Sequence, residues 1–258
     1  MTGRSLVEAL LTARKTGEQI DHLQDDWHLD SQGMAVETML HVADQLGWER
    51  LGWKIAATNE ELQRKLRTTE PVFGMTFKQF LMHSPASVLR ASLLDPIIEC
   101  EFAFKMSKSL PDKGDEAYVL EDLVQCIEWV APCIEIAECR FNRRNLPSAR
   151  FIQADGFASG RYVVGEPIEE WQLFLDNGVN VSLFRNEQLH SSGHSSDVMG
   201  HPLLPLLWLG QALKRVNRRL EPGDVVCTGS CNILCPARKG DQFTVHYEGL
   251  APLKLSTP

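Results

Sequence analysis

From Pro96 to Phe104 the chain reads Pro-Ile-Ile-Glu-Cys-Glu-Phe-Ala-Phe, and this stretch constrains the fold more than any other. Its β-branched and aromatic residues, entered through a proline, predict a buried strand. Side chains alternate along a strand, so Ile98, Cys100, Phe102 and Phe104 share one face, while Glu99, Glu101 and Ala103 share the other. Two carboxylates then stand on one face, roughly 6.5–7 Å apart along the backbone. Two unpaired charges inside an otherwise apolar strand are costly, and a divalent cation is the simplest remedy.

Residues 132–141, Pro-Cys-Ile-Glu-Ile-Ala-Glu-Cys-Arg-Phe, predict a second strand with one acid inside it. Glu135 faces away from Ile134 and Ile136. Three carboxylates on two strands, with other positions open to water, suit Mg²⁺ or Mn²⁺, which take oxygen ligands. The alternative is a solvated sheet face, or pairing with Arg and Lys from elsewhere in the chain.

At 258 residues the chain has room for one large domain, or a small one beside a larger. A net charge of −8 argues against a nucleic-acid partner, which calls for a clustered basic surplus. An anionic substrate would therefore need a locally positive site built from a metal ion, Lys or Arg. The seven cysteines are odd in number and scattered through apolar segments, which predicts small buried hydrophobes in a reducing compartment. Cys227, Cys231 and Cys235 are spaced by four, unlike a structural zinc knuckle. No secretory signal is visible, and the longest apolar run, Pro202 to Leu209, is too short to span a bilayer. A cytoplasmic protein without a membrane partner is the expectation.

Leu6, Leu10 and Leu11 predict a helix within 4–23, and Val36, Met39, Leu40, Ala43 and Leu46 a second one ending at Gly47. Next comes a short strand over 52–58 carrying Lys54 between apolar neighbours; such a lysine has a carboxylate partner, a task, or an edge position from which to reach solvent. A capped helix is expected over 59–67 and another over 121–130. A basic segment (Arg140, Arg143, Arg144, Arg150) reads either as solvated surface or as a hold on an anionic loop or subunit. The small-residue turn 154–160 leads into a strand over 161–165, and a hairpin closes at Asn186. Ser191 to Ser196 has the composition of a mobile loop over a site. Helix 205–218 and strands over 224–230 and 242–247 complete the pattern. Strands separated by turns rather than crossover helices predict an α+β fold: a mostly helical N-terminal region, residues 1–85, before a rolled mixed β-sheet domain, residues 86–258. No phosphate-binding glycine motif is present.

These pieces together resemble the 2-keto-4-pentenoate hydratase and 4-oxalocrotonate decarboxylase family of the fumarylacetoacetate hydrolase superfamily. The match is carried by Gly52-Trp53-Lys54-Ile55, Glu70 to Gly74, Ile98 to Phe104, Pro132 to Ile136, Ala154-Asp155 through Gly165, Gly200-His201-Pro202 with Trp208-Leu209, and Asp224 through Gly229. They occur in the family's order over about residues 50–248. The resemblance implies a metal-dependent lyase of aromatic meta-cleavage catabolism, with Glu99, Glu101 and Glu135 holding Mg²⁺ or Mn²⁺ against a 2-oxo acid. It implies that Lys54 moves a proton or neutralises a carboxylate, its pKa pushed down beside the metal. Asp155 would orient Lys54 or a water, and Ser159, Thr228 and Gly229 would hydrogen-bond the substrate carboxylate. It implies a homo-oligomer, and association with a sister hydratase or decarboxylase. Two departures bear on the chemistry: Val72 stands where hydratases of the family usually carry an acid, and Gly156 where an Asn is common. A hydratase acting on a 2-hydroxypenta-2,4-dienoate-type acid is the leading expectation. A 4-oxalocrotonate-type decarboxylase, or a non-catalytic partner subunit, is the alternative.

Overall fold

The computed structural model describes residues 5–258, so the first four positions of the expected helical region lie outside it. Chain order is α1 (Leu6–Thr16), α2 (Gln32–Leu46), β1 (Arg50–Ala56), α3 (Glu60–Leu66), β2 (Val72–Phe77), β3 (Leu81–His83), β4 (Ala86–Ser87) and β5 (Ile97–Met106). It continues α4 (Leu120–Val124), β6 (Ile127–Ala137), α5 (Ala149–Ala154), β7 (Arg161–Val164), α6 (Trp171–Asp176), β8 (Asn180–Arg185) and β9 (Gln188–His194). The last elements are α7 (Leu203–Arg215), β10 (Val225–Cys227), β11 (Cys235–Pro236), β12 (Asp241–Tyr247) and β13 (Leu253–Thr257).

Local chemistry sets the helix ends. Ser5 caps α1 in a reciprocal box with Glu8, and Gly17 closes it in the left-handed conformation, which cuts short the helix expected to run to residue 23. Ser31 caps α2 through the Met34 N–H, and Gly47 ends it as expected. Asn59 accepts from the Leu62 N–H to start α3. The helix expected over 121–130 stops at Val124, because Ile127 to Val130 pair with β5 and prolong β6 backwards. The apolar residues at 123, 127 and 130 suit a helix face, but residues 127–130 are β-branched and aromatic enough to join the ladder.

An eight-stranded mixed sheet runs β2-β1-β10-β5-β6-β7-β3, with β11 also on β5, and curls into a half-barrel. A five-stranded sheet runs β4-β13-β12-β8-β9. The pairs β1–β10 and β3–β7 are parallel and β5–β6 antiparallel. This is the expected α+β fold with a rolled mixed sheet. A division at residue 85 does not follow the strands, however: β1, β2 and β3 precede it and belong to the same sheet as β5 and β6. Their side chains face the common core, so the helical part proper is α1 and α2.

The main core lies on one face of the large sheet. Trp53, Ile98, Phe102, Phe104, Ile134 and Ile136 pack there against the five-stranded sheet and α7. The Ser191–Ser196 stretch is not a free loop: Ser191, Ser192 and Gly193 pair with β8, and at Gly193 a side chain would fall 1.8 Å from the Cys231 carbonyl. The β8–β9 hairpin turns at Asn186 and Glu187, both at positive φ, as such two-residue turns require. All seven cysteines are buried and unbridged. Among the described residues no helix is long and apolar enough to cross a membrane.

Candidate metal centre and active site

On the face opposite the main core, β5 and β6 place Glu99 directly across from Glu135, and Glu101 across from Cys133. All three carboxylates offer oxygens within 4.8 Å of one another. Glu101 and Glu135 are fully buried and Glu99 is half-buried. The alternation that sends Ile98, Phe102, Ile134 and Ile136 into the core sends these acids the other way. Behind them Tyr247 of β12 braces the strands: its hydroxyl lies 2.8 Å from both the Glu101 and the Cys133 carbonyl oxygens.

Each buried glutamate has one oxygen tied down and one free. Glu101 Oε2 accepts the Gly229 N–H at 3.0 Å, and Glu101 Oε1 is buried without a hydrogen-bond partner among the described residues. Glu135 Oε1 lies 3.3 Å from Lys54 Nζ and accepts the Tyr162 hydroxyl at 3.2 Å, while Oε2 is likewise buried without a partner. Unpaired buried carboxylate oxygens are costly, and a hard divalent cation is what oxygen ligands so arranged accept. The residues therefore fit a divalent ion held by Glu99, Glu101 and Glu135; nothing in the donor set separates Mg²⁺ from Mn²⁺.

Charge crowding is visible in the proton affinities. Burial, then repulsion from Glu135, pushes Glu101 well above the usual carboxylate range. Burial, opposed by Lys54 and reinforced by Glu99, pushes Glu135 up to about 7. For Lys54, burial opposes the charged form, but attraction to Glu135, Glu99 and Glu101 outweighs it and the ammonium is held above its ordinary range. The downward shift expected for Lys54 is therefore not what the protein's own groups produce.

Lys54 alternates with Trp53 and Ile55 of the core, which points it at the glutamates, and it also donates to the Phe157 carbonyl at 3.2 Å. It forms part of the wall of a cavity of about 130 Å³ shared by Glu99, Arg143, Phe157, Ile152 and Leu62. Val72 packs with Ala57, Ile152 and Phe157 just behind that wall, so the position where hydratases of the family usually carry an acid is apolar inside as well. Glu99 is the one carboxylate among the described residues lining the cavity.

The other site residues expected from the resemblance act on the scaffold. Asp155 does not orient Lys54. Its Oδ1 is 2.7 Å from Arg140 Nε and 3.4 Å from an Arg14 nitrogen, and its Oδ2 accepts the Arg140 N–H. Two buried guanidiniums share this one carboxylate, and burial together with Arg140 lowers Arg14 to about 10. The Thr228 N–H and hydroxyl both donate to the Phe102 carbonyl, leaving neither for substrate. Gly229 gives its N–H to Glu101 instead of a substrate carboxylate. Its φ is 97°, and an added Cβ would lie 2.5 Å from Thr58 Oγ1, so glycine is required for that contact. Ser159 lies 3.3 Å from the Tyr162 hydroxyl and so supports Glu135 indirectly. Gly156 has φ 76°, a conformation Asn also tolerates, so its departure is conservative for the backbone.

Two residues escaped the sequence argument. Tyr162 lies across from Glu135 on β7 and extends the row Glu99, Glu135, Tyr162; a tyrosine between aliphatic strand residues needs a partner for its hydroxyl, which was the available signal. Arg143 was visible only as one member of a basic segment.

The sequence matches the fumarylacetoacetate hydrolase C-terminal family over residues 42–256. The chain belongs to that family. It is 29% identical over 260 residues to a 2-hydroxyhexa-2,4-dienoate hydratase of Comamonas testosteroni, covering 98% of this chain and 95% of that protein. It is 31% identical over 204 residues to the TodF product hydratase of Pseudomonas putida, covering 79% and 75%. Among solved structures, 4-oxalocrotonate decarboxylase from Pseudomonas putida G7, complexed with magnesium and adipate, superposes with a TM-score of 0.89 at 21% identity, covering 98% of this chain and 96% of that one. That likeness establishes the shared fold. Within this fumarylacetoacetate hydrolase fold, the carboxylate row and Lys54 lie on the sheet face opposite the main core.

Proposed function

We propose that this protein is an enzyme, a divalent-metal-dependent lyase acting on a small 2-hydroxydienoate or 2-oxo acid, with water addition to a 2-hydroxypenta-2,4-dienoate-type substrate as its leading activity. The observation that carries this is the pair of unpartnered oxygens on Glu101 and Glu135, facing Glu99 beside a buried, charged Lys54. A divalent ion there would supply a Lewis acid for the negative charge that develops on the substrate's 2-oxo oxygen. The protein's own groups do the rest. Tyr162 and Lys54 fix the Glu135 carboxylate from one side, and Gly229 fixes Glu101 from the other. Lys54 holds a proton at the cavity wall, where it can protonate a carbon centre or neutralise the substrate carboxylate. Phe157, Ile152 and Leu62 give the cavity an apolar wall against which the hydrocarbon part of the substrate can pack. The hydratase names of the full-length relatives support the water-adding reading.

Val72 and the apolar cluster around it favour a second reading, decarboxylation of a 2-oxo acid, because losing CO₂ needs an electron sink but no positioned water base. A homo-oligomer, or a complex with a sister enzyme, is compatible with either. The test is turnover of 2-hydroxypenta-2,4-dienoate and of 2-oxo-hex-3-enedioate, followed by ultraviolet absorbance and CO₂ release, with and without Mg²⁺ or Mn²⁺. Metal-dependent loss of the dienoate without CO₂ is the expected result. CO₂ from the diacid moves the activity to decarboxylase, and no turnover of either with metal bound contradicts both.

A further inference from the structure

A second cavity, of about 300 Å³, lies between the end of α1, Trp48 ahead of β1, residues 91–94 and the neighbouring ends of β6 and β7. No residue lines both this cavity and the one that holds Lys54. The chain leaving β6 divides between them: Ala137 and Cys139 line the Lys54 cavity, Glu138 and Arg140 the second one. Four cations line the second: Arg14 and Lys15 from the last turn of α1, Arg140, and Arg161 at the start of β7.

Their carboxylate partners are too few. Glu138 is the one acid among the described residues in this wall, and it is engaged by the Leu94 N–H at 3.0 Å and by Arg161 Nε at 3.2 Å. Behind the wall Asp155 serves both Arg140 and Arg14, unequally. Arg140 reaches Oδ1 at 2.7 Å through Nε and Oδ2 at 3.0 Å through its backbone N–H, while Arg14 stands at 3.4 Å. Arg14 also donates to the Asp155 carbonyl and lies 5.6 Å from the centre of the Phe77 ring, but neither contact supplies a full negative charge. Both guanidinium side chains are only 5% exposed. Arg14 Nε and Nη1 and Arg140 Nη1 have no hydrogen-bond partner among the described residues. Burial and repulsion from Arg140 lower Arg14 to about 10, as befits a cation short of negative charge.

Four cations against two carboxylates leave two positive charges in excess around a cavity with the liquid volume of about ten waters. Buried charge left uncompensated is costly, and one dianionic group would balance it. A carboxylate carries a single charge, whereas a phosphoryl group carries nearly two and presents oxygens that guanidinium forks bind in pairs. Trp48 and Phe80, edge to face at 5.4 Å, form an apolar side of the same cavity. We propose that this cavity is a binding site for a phosphate-type dianion, either inorganic phosphate or a phosphate monoester, separate from the glutamate centre. It stands or falls independently of the reaction at that centre.

The test is calorimetric titration of inorganic phosphate, phenyl phosphate and acetate into the Mg²⁺-loaded protein, at pH 8 and a constant ionic strength of about 0.15 M. At least one of the two phosphates is expected to bind once per chain with a Kd below about 1 mM, at least about tenfold more tightly than acetate. Lys15→Glu, at an exposed position, reverses one of the four charges and is expected to weaken that binding about tenfold or more. Arg161→Met is expected to do the same, and Arg161→Lys to stay within about threefold of wild type. Tighter binding of phenyl phosphate identifies an ester seated against Trp48 and Phe80, and equal binding identifies the free ion; either supports the site. Binding of both phosphates weaker than about 1 mM, or acetate bound as well as phosphate, overturns the proposal. So does an affinity that both Lys15→Glu and Arg161→Met leave unchanged, since the phosphate would then sit elsewhere, at the glutamate-held ion for instance.

Discussion

Filling the glutamate site should expel protons, because burial and mutual repulsion raise the proton affinity of its carboxylates. In the metal-free protein Glu101 is held well above the usual carboxylate range and Glu135 at about 7. Both groups therefore hold protons more tightly than free carboxylates do. Both must ionise to ligate a cation, so binding should release protons at neutral pH. Glu101→Gln keeps an acceptor for the Gly229 N–H but has no proton to lose, and the release should fall. The same groups act on stability. A folded-state pKa raised above the unfolded value contributes stability that is full below the unfolded pKa and lost as pH rises through the folded one. For Glu135, from 4.5 to about 7, that loss is about 3 kcal/mol, or roughly 6–12 °C in Tm for a chain of this size. The metal-free protein should accordingly melt lower at pH 8 than at pH 5 through this group, and a saturating divalent ion should remove the difference. Calorimetric titration with Mn²⁺ in buffers of differing ionisation enthalpy counts the protons directly. Binding of one ion per chain at pH 7 with no proton release would refute the reasoning.

Three substitutions probe the supports. Lys54→Met leaves buried Glu135 without its cation and should destabilise the metal-free protein by about 3–5 kcal/mol, read as the denaturant midpoint, with turnover lost even when metal is bound. Asp155→Asn strips the shared anion from Arg14 and Arg140; it should cost stability of the same order and leave the KM of the folded enzyme nearly unchanged, in contrast to a residue that orients Lys54. Gly229→Ala forces a Cβ to 2.5 Å from Thr58 Oγ1, which displaces the N–H from Glu101; divalent-ion affinity by calorimetry should fall by tenfold or more.

What could be read in the sequence was whatever depends on local periodicity. The Ile98–Phe104 alternation placed both glutamates on one face, and Glu135 followed from its own strand, because a period of two admits no other arrangement between buried neighbours. Ser31, Gly47 and the Asn186 turn carry their geometry in their own residue types. Partners remote in the chain left no such trace. Asp155 meets Arg14 of α1, 141 positions away, and nothing near Asp155 announces it. The part played by Gly229 is that of a backbone N–H, to which a side-chain pattern is blind. Ser191, Ser192 and Gly193 look mobile by composition, yet they form an ordered strand because Gly193 permits close approach to Cys231. Arg143 became distinct from Arg140, Arg144 and Arg150 only once the fold had paired or exposed the others.

The most direct test of the central claim, that Glu99, Glu101 and Glu135 form a divalent-ion centre beside Lys54, is anomalous diffraction from crystals of the protein grown with Mn²⁺. The account predicts one strong peak per chain, within ligand distance of all three carboxylates, with Lys54 still beside Glu135. A peak elsewhere, or none at these glutamates in crystals containing millimolar Mn²⁺, would contradict it.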